Sequence, residues 1–128
     1  MKVLEIFPIG LMFATPIILA GLGGLFSERS GVVNIALEGI MMVGGFTAAA
    51  LVVVLEPLTP AAPWIAFLAA AVAGLVFCLL HAVASVHLRA DQIISGTALN
   101  ILAGRLTVYL CQFLFGQQRT RAFSVGRR

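Results

Sequence analysis

Charge is what this sequence has least of. Only 10% of its 128 residues are Asp, Glu, Lys or Arg, against about 25% in an ordinary soluble domain. Residues 6–27 and 57–88 contain no charged side chain at all. A charge in hydrocarbon is expensive, so a bilayer selects long uncharged runs of this kind. Catalytic motifs are missing too. There is no GxxxxGK phosphate loop, no HExxH and no GxSxG, which removes the common signatures of nucleotide, zinc-peptidase and serine-hydrolase chemistry. The five acids are scattered, giving paired-carboxylate catalysis no basis. The two cysteines, Cys78 and Cys111, lie in separate apolar runs without CxxC spacing, so neither a disulfide framework nor a metal site is indicated. No cofactor is expected.

Hydrophobicity fills the space that charge leaves. The chain is 61% hydrophobic, with a mean hydropathy of +1.09. At about 20 residues per crossing, its length suffices for about four membrane helices and little else. The expected class is all-α, a polytopic transmembrane helical bundle with an interrupted segment after the first span. It forms one transmembrane domain, with spans over residues 8–26, 39–55, 64–86 and 93–115 and a basic tail over 116–128. Lys2 followed by an apolar run resembles a signal peptide, but the run is long and further apolar runs follow. A retained first helix is expected. Pro16 should kink or break that helix, and Gly21, Gly23 and Gly24 loosen its end. The connector 56–63 holds three prolines and reads as a surface turn. Trp64 suits an interfacial anchor, and residues 87–92 form a short polar break.

The net charge of +3 is local, because Arg119, Arg121, Arg127 and Arg128 all fall in the last ten residues. Beside a membrane span such a tail sets topology and contacts anionic lipid; nucleic acid is not an expected partner. A cytoplasmic tail places Lys2 and 56–63 inside, and 27–38 and 89–91 outside. Small residues recur at helical spacing: Ala71, Gly74, Cys78, Ala82 and Ser85 on the third span, Gly45 and Ala49 on the second, and Gln92, Gly96, Asn100 and Gly104 on the fourth. Such rows let helix backbones approach in lipid.

The densest polar segment is residues 27–39, between two apolar runs. It is either an ordinary outer loop or an interrupted helix facing a wet cavity, as in transporters. Arg105, near the middle of the fourth span, is a functional candidate that should face a cavity or a carboxylate such as Glu38; its bland alternative is snorkelling or burial against a further helix. Asp91 reads either as a solute contact or as a plain N-cap, with Gln92 beside it in the break. Asn100 either touches solute or bonds across helices. His81 is expected to be packed and hydrogen-bonded, and His87 interfacial.

Two stretches of sequence carry a family resemblance. Ser27-Glu28-Arg29-Ser30-Gly31-Val32-Val33-Asn34-Ile35, followed by Glu38-Gly39, resembles a segment of the permease subunits of bacterial ABC importers, in the branch that moves simple sugars, branched-chain amino acids and nucleosides. Leu88-Arg89-Ala90-Asp91-Gln92-Ile93-Ile94-Ser95-Gly96, with Asn100 after it, is most similar to the nucleoside-uptake members. The resemblance runs in order from about Pro8 to Gly116. It implies a transport subunit of the bacterial cytoplasmic (inner) membrane working by alternating access. Its implied partners are an ABC ATP-binding subunit that hydrolyses ATP, a second permease subunit and an extracytoplasmic solute-binding protein. The solute path is expected to involve Gly31, Asn34, Glu38, Gly39 and Asn100. Arg105 departs from the small or apolar residue more usual in the family. Such permeases are more than twice as long, so an N-terminal portion of a permease domain is expected. The competing expectations are a truncated, non-transporting membrane interaction protein, or a permease for sugars or branched-chain amino acids.

Overall fold

The computed structural model describes residues 3–118, and among these every regular element is helical. Four helices run in order: α1 (Val3–Arg29), α2 (Leu37–Leu55), α3 (Ala62–Ala82) and α4 (Gln92–Phe115). A π-helical turn, Val83–His87, extends α3. All four are long and apolar enough to cross a membrane. Lys2 and the four tail arginines lie outside the described residues, and with them the basic part of the tail.

Several helix boundaries have a local cause. α1 ends in a Schellman motif: Gly31 sits at φ +88°, its N–H donates to the Glu28 carbonyl at 3.0 Å, and the Val32 N–H donates to the Ser27 carbonyl at 3.3 Å. Only glycine takes that left-handed position without steric cost. Pro63 occupies the first turn of α3, where its missing N–H costs nothing. α4 begins at Asp91, whose carboxylate accepts the N–H groups of Ile93 and Ile94 at 2.8 and 3.1 Å, and it stops at Gly116 in a left-handed conformation.

The expected break at Pro16 is corrected: α1 stays helical through Pro8 and Pro16 and through the glycine cluster. A proline deletes one backbone bond, and the turns on either side carry the helix past it. The interruption after α1 is also shorter than residues 27–38. Ser27, Glu28 and Arg29 belong to α1, and Glu38 to the first turn of α2, leaving residues 30–36 as the non-helical link.

α2, α3 and α4 form the packed unit. Val43, Phe77 and Ala103 make its buried centre, flanked by Ile40, Ala73, Leu99 and Leu106. α2 and α3 are antiparallel, since Gly74 faces Ile40 and Gly44 faces the Ala70 carbonyl. α2 and α4 are parallel, since Gly39 meets Asn100 and Gly104 meets Met42. This arrangement puts the 30–36 link and the 88–91 break at one end of the unit. The most buried positions of α3 are Ala62, Ala66, Phe77 and His81; of the expected small-residue row, Gly74 packs on Ile40, Cys78, Ala82 and Ser85 are half-buried, and Ala71 is exposed. α1 touches the unit through Gly24, where an added Cβ would lie 2.9 Å from Leu37 Cδ1. Only 6% of its membrane-length window is buried, so its apolar surface is open to lipid or to other helices.

A close backbone approach occurs at Gly96, where a Cβ would lie 2.9 Å from Ile35 Cβ and 3.1 Å from the Ala36 nitrogen. Gly96→Leu should therefore destabilise the folded chain in detergent by about 1–3 kcal/mol. Gly10→Ala, with nothing within 4 Å, should leave its melting temperature unchanged. Thermal unfolding of the two variants checks both outcomes.

Candidate functional site

The site is built where residues 33–39 pass along the N-terminal half of α4. The link has few bonds of its own. Ser27 Oγ donates to the Val32 carbonyl at 2.8 Å and Ser30 Oγ to the Ser27 carbonyl at 2.6 Å, both near the α1 end. Asn34 is buried, and its Oδ1 accepts the Ala36 N–H at 3.0 Å, an Asx turn that bends the chain into α2. Ala36, the N-cap of α2, offers no side chain to the orphan N–H groups of the first turn.

α4 provides what the link lacks. Gln92 Oε1 accepts the Val33 N–H at 2.7 Å. Four residues on, Gly96 lets the backbone at Ile35 and Ala36 lie against α4. Another turn on, Asn100 Oδ1 accepts the Gly39 N–H at 2.7 Å, and Asn100 Nδ2 donates to the Ile35 carbonyl at 2.9 Å. Asn100 thus caps α2 from a neighbouring helix. Gly39 is what permits this, since a Cβ there would lie 2.9 Å from Asn100 Oδ1. α3 adds His81, whose Nδ1 lies 3.2 Å from Ser95 Oγ and whose Nε2 lies 3.3 Å from the Val33 carbonyl oxygen.

The expected site residues therefore divide. Asn34, Gly39 and Asn100 converge on the link–α4 contact with their bonds directed at the backbone. Gly31 caps α1 and is exposed. Glu38 is exposed on the first turn of α2 and joins none of these bonds. Asp91 is an N-cap, and Gln92 binds the link rather than lying in the break. Arg105 is exposed on α4, away from the face formed by Gly96, Ala103 and Thr107, and no ion pair joins it to Glu38. His81 is packed and bonded, but its attachment to Val33 is not encoded in any spacing. A histidine in an apolar run marks a buried polar contact without naming the partner. Ser85, in the π-helical turn, has a buried hydroxyl with no partner among the described residues.

With that geometry in place, comparison with known proteins gives a consistent result. Residues 7–127 match the family described as the branched-chain amino acid transport system / permease component, and the chain belongs to that family. It is 47% identical over 116 residues to the guanosine ABC transporter permease protein NupQ of Bacillus subtilis, covering 90% of this chain and 36% of that relative. It is 46% identical over 113 residues to the nucleoside ABC transporter permease protein NupC of Lactococcus lactis, covering 84% of this chain and 34% of the relative. A putative glucose ABC transporter permease protein of Haloferax volcanii, TsgC13, is 36% identical over 99 residues, covering 75% and 28%. The chain thus spans about a third of the length of the curated relatives it matches. No solved structure shows significant similarity. Family membership and four membrane-length helices make the chain a multi-pass protein of the bacterial inner membrane.

Asn100→Leu removes the partners of the Gly39 N–H and the Ile35 carbonyl together. The orphaned N–H of buried Gly39 costs about 1–3 kcal/mol, and the carbonyl of exposed Ile35 costs less. The expected result is faster hydrogen exchange at the Gly39 amide, measured by NMR in micelles, with exchange in the middle of α3 unchanged.

Proposed function

We propose that this chain forms the N-terminal portion, a single but incomplete transmembrane domain, of a permease subunit of an ATP-driven ABC importer for nucleosides. The observation that carries this reading is the junction of residues 30–39 with residues 91–100. The two polar segments of a mostly apolar chain are brought together at one end of the packed helices. Identity to relatives named as guanosine and nucleoside permeases runs through nearly all of this chain. The chain itself is a non-enzymatic transport subunit. ATP hydrolysis belongs to a separate ABC ATP-binding subunit, solute arrives from an extracytoplasmic solute-binding protein, and a second permease subunit completes the passage.

Alternating access needs a path whose walls hold their shape while helices rock. Gly31, Asn34, Glu38, Gly39 and Asn100 are the proposed wall. Asn34, Gly39 and Asn100 shape the backbone, and Glu38 presents an exposed carboxylate, an acceptor suited to ribose hydroxyls. Arg105 lies about 20 Å along α4 from its start, at 1.5 Å per residue, and has no place in this wall.

The test is uptake of radiolabelled guanosine by the full-length permease reconstituted with its ATPase and binding protein. ATP-dependent uptake that unlabelled nucleosides compete away, and that glucose and leucine do not, is the expected outcome. Competition by glucose or leucine alone would reject the substrate class. Asn34→Leu should abolish uptake while the assembled complex is retained. Normal uptake by that variant would remove Asn34 from the path.

A further inference from the structure

The Val33 peptide is held at both ends by different helices. Gln92 of α4 takes its N–H at 2.7 Å, and His81 of α3 reaches its carbonyl at 3.3 Å. A carbonyl oxygen only accepts, so His81 Nε2 carries the ring proton. In the neutral ring Nδ1 then offers a lone pair, and the Ser95 hydroxyl 3.2 Å away donates to it. One imidazole therefore joins α3, α4 and the link.

His81 is only 2% exposed and is the one large side chain fully buried among the described residues. Burying a polar ring in an apolar bundle is costly unless its nitrogens are bonded. An apolar residue would pack α3 against α2 and α4 without that requirement. What the imidazole adds is reach to a backbone carbonyl in the middle of the link, far in sequence from α3. Both His81 contacts are at the long end for hydrogen bonds, and the Val33 peptide is fixed by the combination with Gln92. The position is also special in the helix, because α3 widens into its π-helical turn two residues later. Such turns recur where a helix serves function as well as packing.

We propose that His81 is a positioning residue for transport: through the Val33 carbonyl it ties the 30–36 link to the α3–α4 hairpin, so that link and hairpin move as one body during the access cycle. The proposal rests on the permease reading given above. It assigns His81 no contact with solute. Its role is to keep Asn34 and Glu38 at a fixed height against α4.

The experiment uses the full-length permease assembled with its ATPase and binding protein. The Val33 amide serves as reporter, because its N–H is held by Gln92 and exchanges with deuterium only when that bond opens. The rate of deuterium labelling over residues 30–36, followed by mass spectrometry, reads local opening of the link. His81→Leu is expected to raise the labelling rate about threefold or more. It should also lower the maximal uptake rate about tenfold, with KM nearly unchanged and assembly intact, as misplacement without lost solute contacts predicts. His81→Gln, whose amide N–H can reach the same carbonyl, is expected to restore both readouts most of the way. A merely space-filling role would show the reverse ranking, because leucine packs better than glutamine. If His81→Leu does not assemble, Ser95→Ala loosens the same ring from its other side without changing core volume, and it should raise labelling more modestly. Unchanged labelling in these variants overturns the tether. Faster labelling with normal uptake overturns the positioning role. If the unaltered protein carries no nucleoside, the permease reading falls and this proposal falls with it. If the unaltered protein transports and His81→Leu matches it in both readouts, only the positioning claim falls.

Discussion

One row of side chains on α4 organises the packed part of this molecule. Gln92, Gly96, Asn100 and Gly104 stand four residues apart, and they meet in turn Val33, Ile35 with Ala36, Gly39, and Met42. The row rises along one helix as the link and then α2 rise beside it. It alternates amide and glycine, an amide where a backbone group needs a partner and a glycine where backbone must come close. In hydrocarbon, burial of apolar surface does not draw helices together, so close approach and hydrogen bonds must do it. A non-helical link packed against such helices needs partners from protein for the backbone groups it buries. The row meets both conditions at once. The parallel packing of α2 on α4 and the cap of α2 follow from it, as does the placement of the two polar segments side by side.

Much of this was legible in the sequence, because membrane physics writes plainly in composition. Apolar runs of membrane length, with Arg105 the one charge within them, marked four helices, and the i, i+4 spacing of the α4 row marked a packed face. Asp91 before an apolar run marked a cap. Other features were hidden for definable reasons. Pro16 argued for a break, yet a helix in an apolar environment has strong cause to retain every remaining backbone bond, and α1 continues. Gly31 was grouped with the solute path, and its local signal, a glycine two residues past the helix end at Arg29, is also that of a Schellman cap. On α3 alanine is so frequent that several faces satisfy the same spacing, and the most buried positions lie beside the small-residue row rather than on it. The His81–Val33 contact joins residues 48 apart in sequence, and no periodicity carries that information.

The candidate site shows a similar split between type and role. The residues that meet at the polar junction are amides and glycines, with the Glu38 carboxylate exposed beside them. Spacing alone left open whether they faced solute or one another. In the structure Asn34 and Asn100 spend hydrogen-bonding capacity on backbone, and Asn100 does so twice. That use does not oppose a transport role. A path through protein needs walls whose own polar groups are satisfied, or they would compete with the solute for partners. Asn100 keeps one amide hydrogen and one lone-pair site beyond the two bonds it makes, and Glu38 keeps its whole carboxylate.

The contrast between α1 and the rest bears on how such a unit can move. α2, α3 and α4 share a buried centre and a junction fixed by side chains from two of them. α1 meets them chiefly around Gly24 and Leu37, and beyond that its bonds to the link are local ones at its own cap. Glycines at 21 and 23 face open space. Among the described residues, then, the shared core begins after the Schellman turn at Gly31, and the apolar surface of α1 is left for lipid or other helices. Displacement of α1 about that turn leaves every bond of the α4 row intact, whereas displacement of the link breaks several at once. Any motion that preserves the polar junction must carry residues 33–39 along with α3 and α4, because Val33, Ile35 and Gly39 are bonded to side chains of those two helices.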